Sequence, residues 1–185
     1  MREMIHIINS GEFGARNDGA TPISNRRATS DDVTNFPSID YIFYNLVGTY
    51  TITRILGNYG TAKGIAYFIE DKKPIYSKYP SILYREELDV NYHGSSTKVK
   101  AFKEYIYSLE QDKIVKYFVN ENNNTLFYQM HFISNNPCQV EATHQCNLDI
   151  YQASYIFLNK DSFDLSYKIS GPNKDYTIKT SFIRL

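Results

Sequence analysis

Residues 144–155, HQCNLDIYQASY, bring an imidazole, a thiol, a carboxylate and two phenols together, and residues 170–176, SGPNKDY, set a lysine beside an aspartate. An imidazole oriented by a carboxylate is an acid–base pair suited to neutral pH, so His144 and Asp149 are candidate catalytic residues. Two other roles are open to His144: a neutral core histidine bonded to Asp149 or a tyrosine hydroxyl, and a metal ligand. His-x-Cys plus one Asp is a thin donor set for zinc, and no spacing in the chain calls for a metal or a cofactor. Cys146 lies two residues from His144 with no helix N-terminus to acidify its thiol, a poor arrangement for a nucleophile.

Strand periodicity decides which of these groups face one another. Alternation puts His144 and Cys146 on a face with Val140 and Ala142, and Asp149 on a face with Tyr151, Ala153, Tyr155 and Phe157. Same-face neighbours stand about 7 Å apart, so they line a wall rather than touch. The parity changes between Cys146 and Asp149, which places a tight turn or bulge at Asn147-Leu148 and sets Asp149 beside Cys146 at one rim. The same counting puts Arg54 with Tyr50 and Ile52, Glu86 with Ile82 and Tyr84, and Lys103 with Val99, Ala101, Tyr105 and Tyr107.

Charges on an inward face cost several kcal/mol unless paired or solvated. One reading is an internal Arg54–Glu86 pair, with Arg184 packed over Tyr50 to seal the base. The other is a wet cavity in which Arg54, Lys103 and His144 meet the anionic head of an apolar or aromatic ligand. The candidate ligand-binding set is Arg54, Glu86, Lys103, Tyr105, His144, Cys146, Asp149, Tyr151, Tyr155, Lys174 and Arg184.

The elements that must hold these residues are nearly all strands. Runs at 46–56, 61–70, 81–88, 97–109, 113–120, 125–133, 139–146, 149–158, 162–170 and 175–185 alternate with period two and are joined by short polar turns. Nine or ten consecutive antiparallel strands need closure, which predicts an all-β, up-and-down barrel over residues 37–185. SIDYIFYNL, from Ser38, has helical spacing and a plausible N-cap, giving a short helix that plugs one end. Residues 1–36 lack a period and read as a poorly ordered extension, with Met4–Ile8 open to forming an edge strand. Gly171-Pro172-Asn173-Lys174-Asp175 reads as a hairpin loop or as a lid charge over the mouth. Counting reversals puts this loop at the same end as the 147–148 turn, so Asp149 is expected to bond Lys174 or its loop and thereby orient His144.

Composition excludes several functions. Lys plus Arg equals Asp plus Glu at 20 each, so no bulk charge draws the chain to nucleic acid. Seventeen Tyr and 11 Phe with no Trp suit strands in general and an aromatic, partly wet interior in particular. Cys138 and Cys146 form no disulfide framework, and no run approaches a membrane span, which leaves a cytoplasmic protein as the expectation. Oligomeric state is not legible.

Gly48-Thr49-Tyr50 after a short helix, with Arg184 on the last strand, resembles the calycin superfamily of lipocalins, fatty-acid-binding proteins and nitrobindin-type haem barrels. There an Arg crosses a Gly-x-Trp, here Gly-x-Tyr. Leu46, Gly48, Tyr50 and Arg54, then His144, Cys146, Asp149 and Tyr151, then Gly171, Pro172, Lys174, Asp175, Tyr176, Thr180 and Arg184 also resemble a family of small bacterial and fungal proteins known only as a domain of unknown function. The resemblance spans about residues 40–185 and implies a calycin-like barrel. By analogy with nitrobindin it leaves haem ligation by His144 or His131 open. The resulting expectation is a barrel that binds a small, mostly apolar or aromatic ligand, with or without an anionic group. The alternatives are an enzyme using His144 and Asp149, and an interaction module with a filled interior.

Overall fold

Inward Tyr, Ile, Phe and Leu at alternate positions bury one face of strands such as 48–56 and 149–159, and a sheet with one apolar face closes on itself to hide it. The computed structural model describes residues 38–72, 78–120, 124–133 and 136–185. The expected extension over 1–36 and its edge strand lie outside the described residues. The strands are β1 (Gly48–Leu56), β2 (Gly60–Glu70), β3 (Ser81–Tyr92), β4 (Lys98–Glu110), β5 (Lys113–Phe118), β6 (Thr125–Gln129), β7 (His131–Ile133), β8 (Asn136–Cys146), β9 (Asp149–Asn159), β10 (Ser162–Gly171) and β11 (Lys174–Arg184). Each pairs with its sequence neighbour except across the seam between β6 and β7, and β1 pairs with β11. The antiparallel order therefore runs β6-β5-β4-β3-β2-β1-β11-β10-β9-β8-β7. The result is a nearly closed, calycin-like barrel.

Among the described residues eleven strands appear where ten runs were read, because 125–133 breaks at Met130. Within β6 there is also a β-bulge: Lys116 faces Tyr128 while Tyr117 faces Leu126, leaving Phe127 as the extra residue. Phe127 and Tyr128 therefore both point inward and are both buried, against simple alternation. Met130 then gives its amide to the Ile114 carbonyl at 2.9 Å as the chain turns away.

The short helix α1 (Ile39–Asn45) forms as expected. The Ser38 hydroxyl accepts the Tyr41 amide at 3.2 Å, an N-cap bond, and Asp40 in the first turn suits the positive helix end. Ile39, Ile42 and Phe43 join the barrel core, and Asn45 donates its side-chain amide to Lys160 O in the β9–β10 turn, fixing the helix at that end.

Arg184 locks this closed end. Its guanidinium lies 4.8 Å from the Tyr50 ring centre, donates to Val47 O at 2.7 Å and to Asn45 O, and pairs with Asp161 at 3.4 Å. Gly48, at φ +151°, makes room, since a Cβ there would strike the Arg184 guanidinium. Burial, partly offset by Arg184, pushes the Tyr50 phenol up to about 12, so it stays a neutral donor to Asn45 O. Replacing Arg184 with Met orphans these carbonyls; urea denaturation should show a loss of roughly 2–4 kcal/mol, the scale of losing bonds to a charged donor.

Candidate functional site

The far end of the barrel, away from α1, holds a cavity of about 400 Å³ between β1, β3, β4, β5, β9, β10 and β11, bordered by Tyr59 in the β1–β2 turn and Asn173 in the β10–β11 turn. Seven tyrosines line it: Tyr59, Tyr84, Tyr105, Tyr107, Tyr151, Tyr167 and Tyr176. Its charged lining residues are Arg54, Lys103, Lys116 and Lys174 against one carboxylate, Glu86.

Arg54 and Glu86 form a two-bond pair, Nη1 to Oε1 at 2.8 Å and Nη2 to Oε2 at 2.6 Å, while Arg54 Nε donates to Thr180 Oγ1 at 2.9 Å. The register explains how they meet. Arg54 lies opposite Ala62 and Glu86 opposite Ala66, so the guanidinium crosses an inner face of β2 kept low by Ala62, Gly64 and Ala66. The Tyr84 hydroxyl donates to the same Glu86 Oε2. Burial alone would raise the Glu86 carboxyl, but the Arg54 charge and bonds, with Tyr84, prevail and hold it below the usual carboxylate value.

Lys116 has no such counter-ion among the described residues. It is only 2% exposed, and its hydrogen-bond partner there is the Tyr167 hydroxyl at 3.4 Å. Rings surround the amine: its Nζ is 4.0 Å from the Tyr105 centre, 4.9 Å from Tyr107, 5.4 Å from Tyr128 and 5.5 Å from Phe127. Ring faces attract an ammonium and offset part of its lost hydration. Burial still wins, with Glu86 opposing and Arg54 and Lys103 reinforcing, and depresses Lys116 well below the ordinary lysine value. Behind it runs a chain of phenols: Tyr167 to Tyr128 at 2.6 Å, Tyr128 to Tyr155 at 2.6 Å, and Tyr155 to Tyr107 at 3.2 Å. Burial raises all four, Tyr167 to about 12, so the chain is neutral and can carry protons by reorientation.

At the mouth, Lys174 donates to Asp149 Oδ2 at 2.6 Å and to the Tyr151 hydroxyl at 3.1 Å. The two motif stretches thus meet at one rim, and the 147–148 turn closes a two-residue hairpin in which Cys146 faces Asp149 and Asn147 adopts φ 57°. Gly171 has a reason to be Gly: a Cβ would collide with the Asp149 carboxylate. Partial burial disfavours the Lys174 ammonium, but the Asp149 and Tyr151 bonds outweigh it and raise its pKa.

Of the residues singled out in the sequence, Arg54, Glu86, Lys103, Tyr105, Tyr151 and Lys174 line the cavity. Asp149 backs Lys174, and Tyr155 sits behind the wall in the phenol chain. Arg184 is at the opposite end, where it seals the base. The expected coupling of His144 to Asp149 is corrected. The carboxylate is taken by Lys174, and the imidazole packs edge-on against Phe127, ring centres 4.9 Å apart, and borders a separate shallow depression beside the seam. Cys146 shares its strand and stays at the rim. Lys116, Tyr84, Tyr107 and Tyr167 were missed as site residues. The alternation of Ile114, Lys116 and Phe118 was a usable signal for the first.

Residues 46–184 match the family of unknown function DUF6314. The chain belongs to that family. Among solved structures it is similar to an S-type phycobiliprotein lyase, CPES, from Guillardia theta, with a TM-score of 0.59 and 8% identity over 85% of this chain and 98% of that one. That likeness carries the fold alone. It is also 30% identical over 112 residues to one of the subunits of NADH-quinone oxidoreductase from Rickettsia conorii, a match covering 54% of this chain and 43% of that protein. The chain therefore spans less than half of that relative's length.

Two outcomes follow from the charge arrangement. Arg54→Met strands a buried carboxylate and should cost about 3–5 kcal/mol in urea denaturation, most of it recovered when Glu86→Met is added. For Lys116, a base whose pKa falls on folding binds its proton better unfolded, so stability rises with pH between the folded value and about 10.4. Lys116→Met should therefore melt above the parent at about pH 7, with the gain shrinking toward about pH 9.5. A gain that is constant or grows with pH would contradict the depressed lysine.

Proposed function

We propose that the barrel binds one small, mostly aromatic, anionic molecule, with its acid group toward Lys103 and Lys174 and its rings between the cavity tyrosines. The observation that carries this is the lining: seven tyrosines stand with the basic side chains Arg54, Lys103, Lys116 and Lys174 around one lining carboxylate, Glu86, which Arg54 and Tyr84 already engage, while Asp149 backs Lys174 at the mouth. Basic side chains at the rim offer an acid group charge-assisted bonds, and flat tyrosine walls favour aromatic partners. A volume of about 400 Å³ is in the range of small-molecule sites and gives no support to a filled, purely interacting barrel. The likeness to a phycobiliprotein lyase supports this at the level of the scaffold.

Displacement of the fluorophore anilinonaphthalene sulfonate tests the reading. Naphthoate should compete at least about tenfold better than neutral naphthamide, and Lys103→Gln should weaken naphthoate by roughly ten- to a hundredfold, as expected for one lost charge-assisted bond. Equal competition by acid and amide would remove the anion from the proposal.

A further inference from the structure

Lys116 is not explained by anion binding alone. A cation placed to greet a carboxylate is best as a hydrated or paired ammonium, yet this amine is sealed into the barrel wall with only 2% of the residue exposed. Glu86, the carboxylate on the same wall, is saturated by two bonds from Arg54 and one from Tyr84. An ammonium has three donors to satisfy, and among the described residues only the Tyr167 hydroxyl takes one, at a long 3.4 Å. A neutral amine has one lone pair to offer and suits this setting, and Lys116 also lines the cavity. The geometry points to Lys116 as a covalent site that forms an imine with an aromatic or conjugated aldehyde held in the cavity. This rests on the proposed reading that the cavity takes a small aromatic acid.

The chemistry is complete with the groups present. The Lys116 Nζ lone pair attacks the aldehyde carbon, and the carbonyl electron pair moves to oxygen. Tyr167 gives that oxygen its hydroxyl proton and recovers one from the nitrogen, leaving a neutral carbinolamine. The same tyrosine then protonates the hydroxyl, which departs as water while the nitrogen lone pair closes the C=N bond. The nitrogen proton returns to Tyr167. One amine and one aldehyde give one imine and one water, with no oxidant or reductant. Burial, which depresses the lysine, raises the share of free amine with its lone pair available, the usual way an amine nucleophile is activated. The phenols Tyr128, Tyr155 and Tyr107 extend the proton path from Tyr167.

The test uses the full chain, limiting para-formylbenzoate and cyanoborohydride at neutral pH, followed by peptide mass mapping. The expected result is a single reduced adduct on the peptide carrying Lys116, blocked by excess naphthoate in the unaltered protein and absent in Lys116→Met and Lys116→Arg. The naphthoate block needs no variant to fold, and circular dichroism checks those that are used. The alcohol para-hydroxymethylbenzoate, which cannot form an imine, is titrated in parallel. If the alcohol binds but adducts fall only on exposed lysines or fail to form, the imine is overturned and the binding proposal stands. If neither compound binds, both are overturned.

Discussion

A charge taken out of water costs several kcal/mol, and this barrel keeps three charge-bearing side chains, Arg54, Glu86 and Lys116, in its described interior. Two of them cancel. The Arg54–Glu86 pair has good geometry and is completed by Tyr84 and Thr180, so both partners remain ionised. The third has no such partner among the described residues, and burial favours its neutral form. Rings take the place of hydration, a neutral phenol chain stands behind the amine, and the cavity opens beside it.

The fold makes space for this interior with small residues and irregularities at a few places. Ala62, Gly64 and Ala66 lower one wall so that an arginine can lie across it, and the β6 bulge turns two successive aromatics inward beneath Lys116. Gly48 admits the Arg184 guanidinium at the closed end, and Gly171 admits the Asp149 carboxylate at the mouth. The two ends are thus pinned by separate cations, Arg184 and Lys174, and the cavity lies between them. Polar contacts hold the rims, and aromatic packing such as the stacked Phe163–Phe182 pair, 4.3 Å between centres, fills the closed half.

The barrel was legible because alternation and turn residues are local signals, and ten runs with short turns leave few topologies other than a closed meander. The rim contact between Asp149 and Lys174 was legible for the same reason, since parity and hairpin counting fix which loops share an end. The position of His144 was not. Its ring contact is with Phe127, which lies on a strand across the seam, where alternation along either strand says nothing. Lys116 was missed for a different reason. A lysine in a strand is ordinarily a solvated residue, and KIVKYF betrays its inward direction only through its phase with Ile114 and Phe118. Phase places a side chain on a face, but only the closed barrel reveals that Glu86, the carboxylate nearest in the lining, is already taken.

The chemistry of this interior turns on the state of one amine, and the most direct measurement observes it. Carbon-13 NMR of protein labelled at lysine Cε, with the Lys116 signal assigned by its absence in Lys116→Met, follows its titration without altering the site. The expected resonance titrates well below the ordinary lysine range and moves to a higher pKa when naphthoate fills the cavity, because the anion then shares the site. A Lys116 that titrates with the exposed lysines near about 10.4, indifferent to naphthoate, would contradict it.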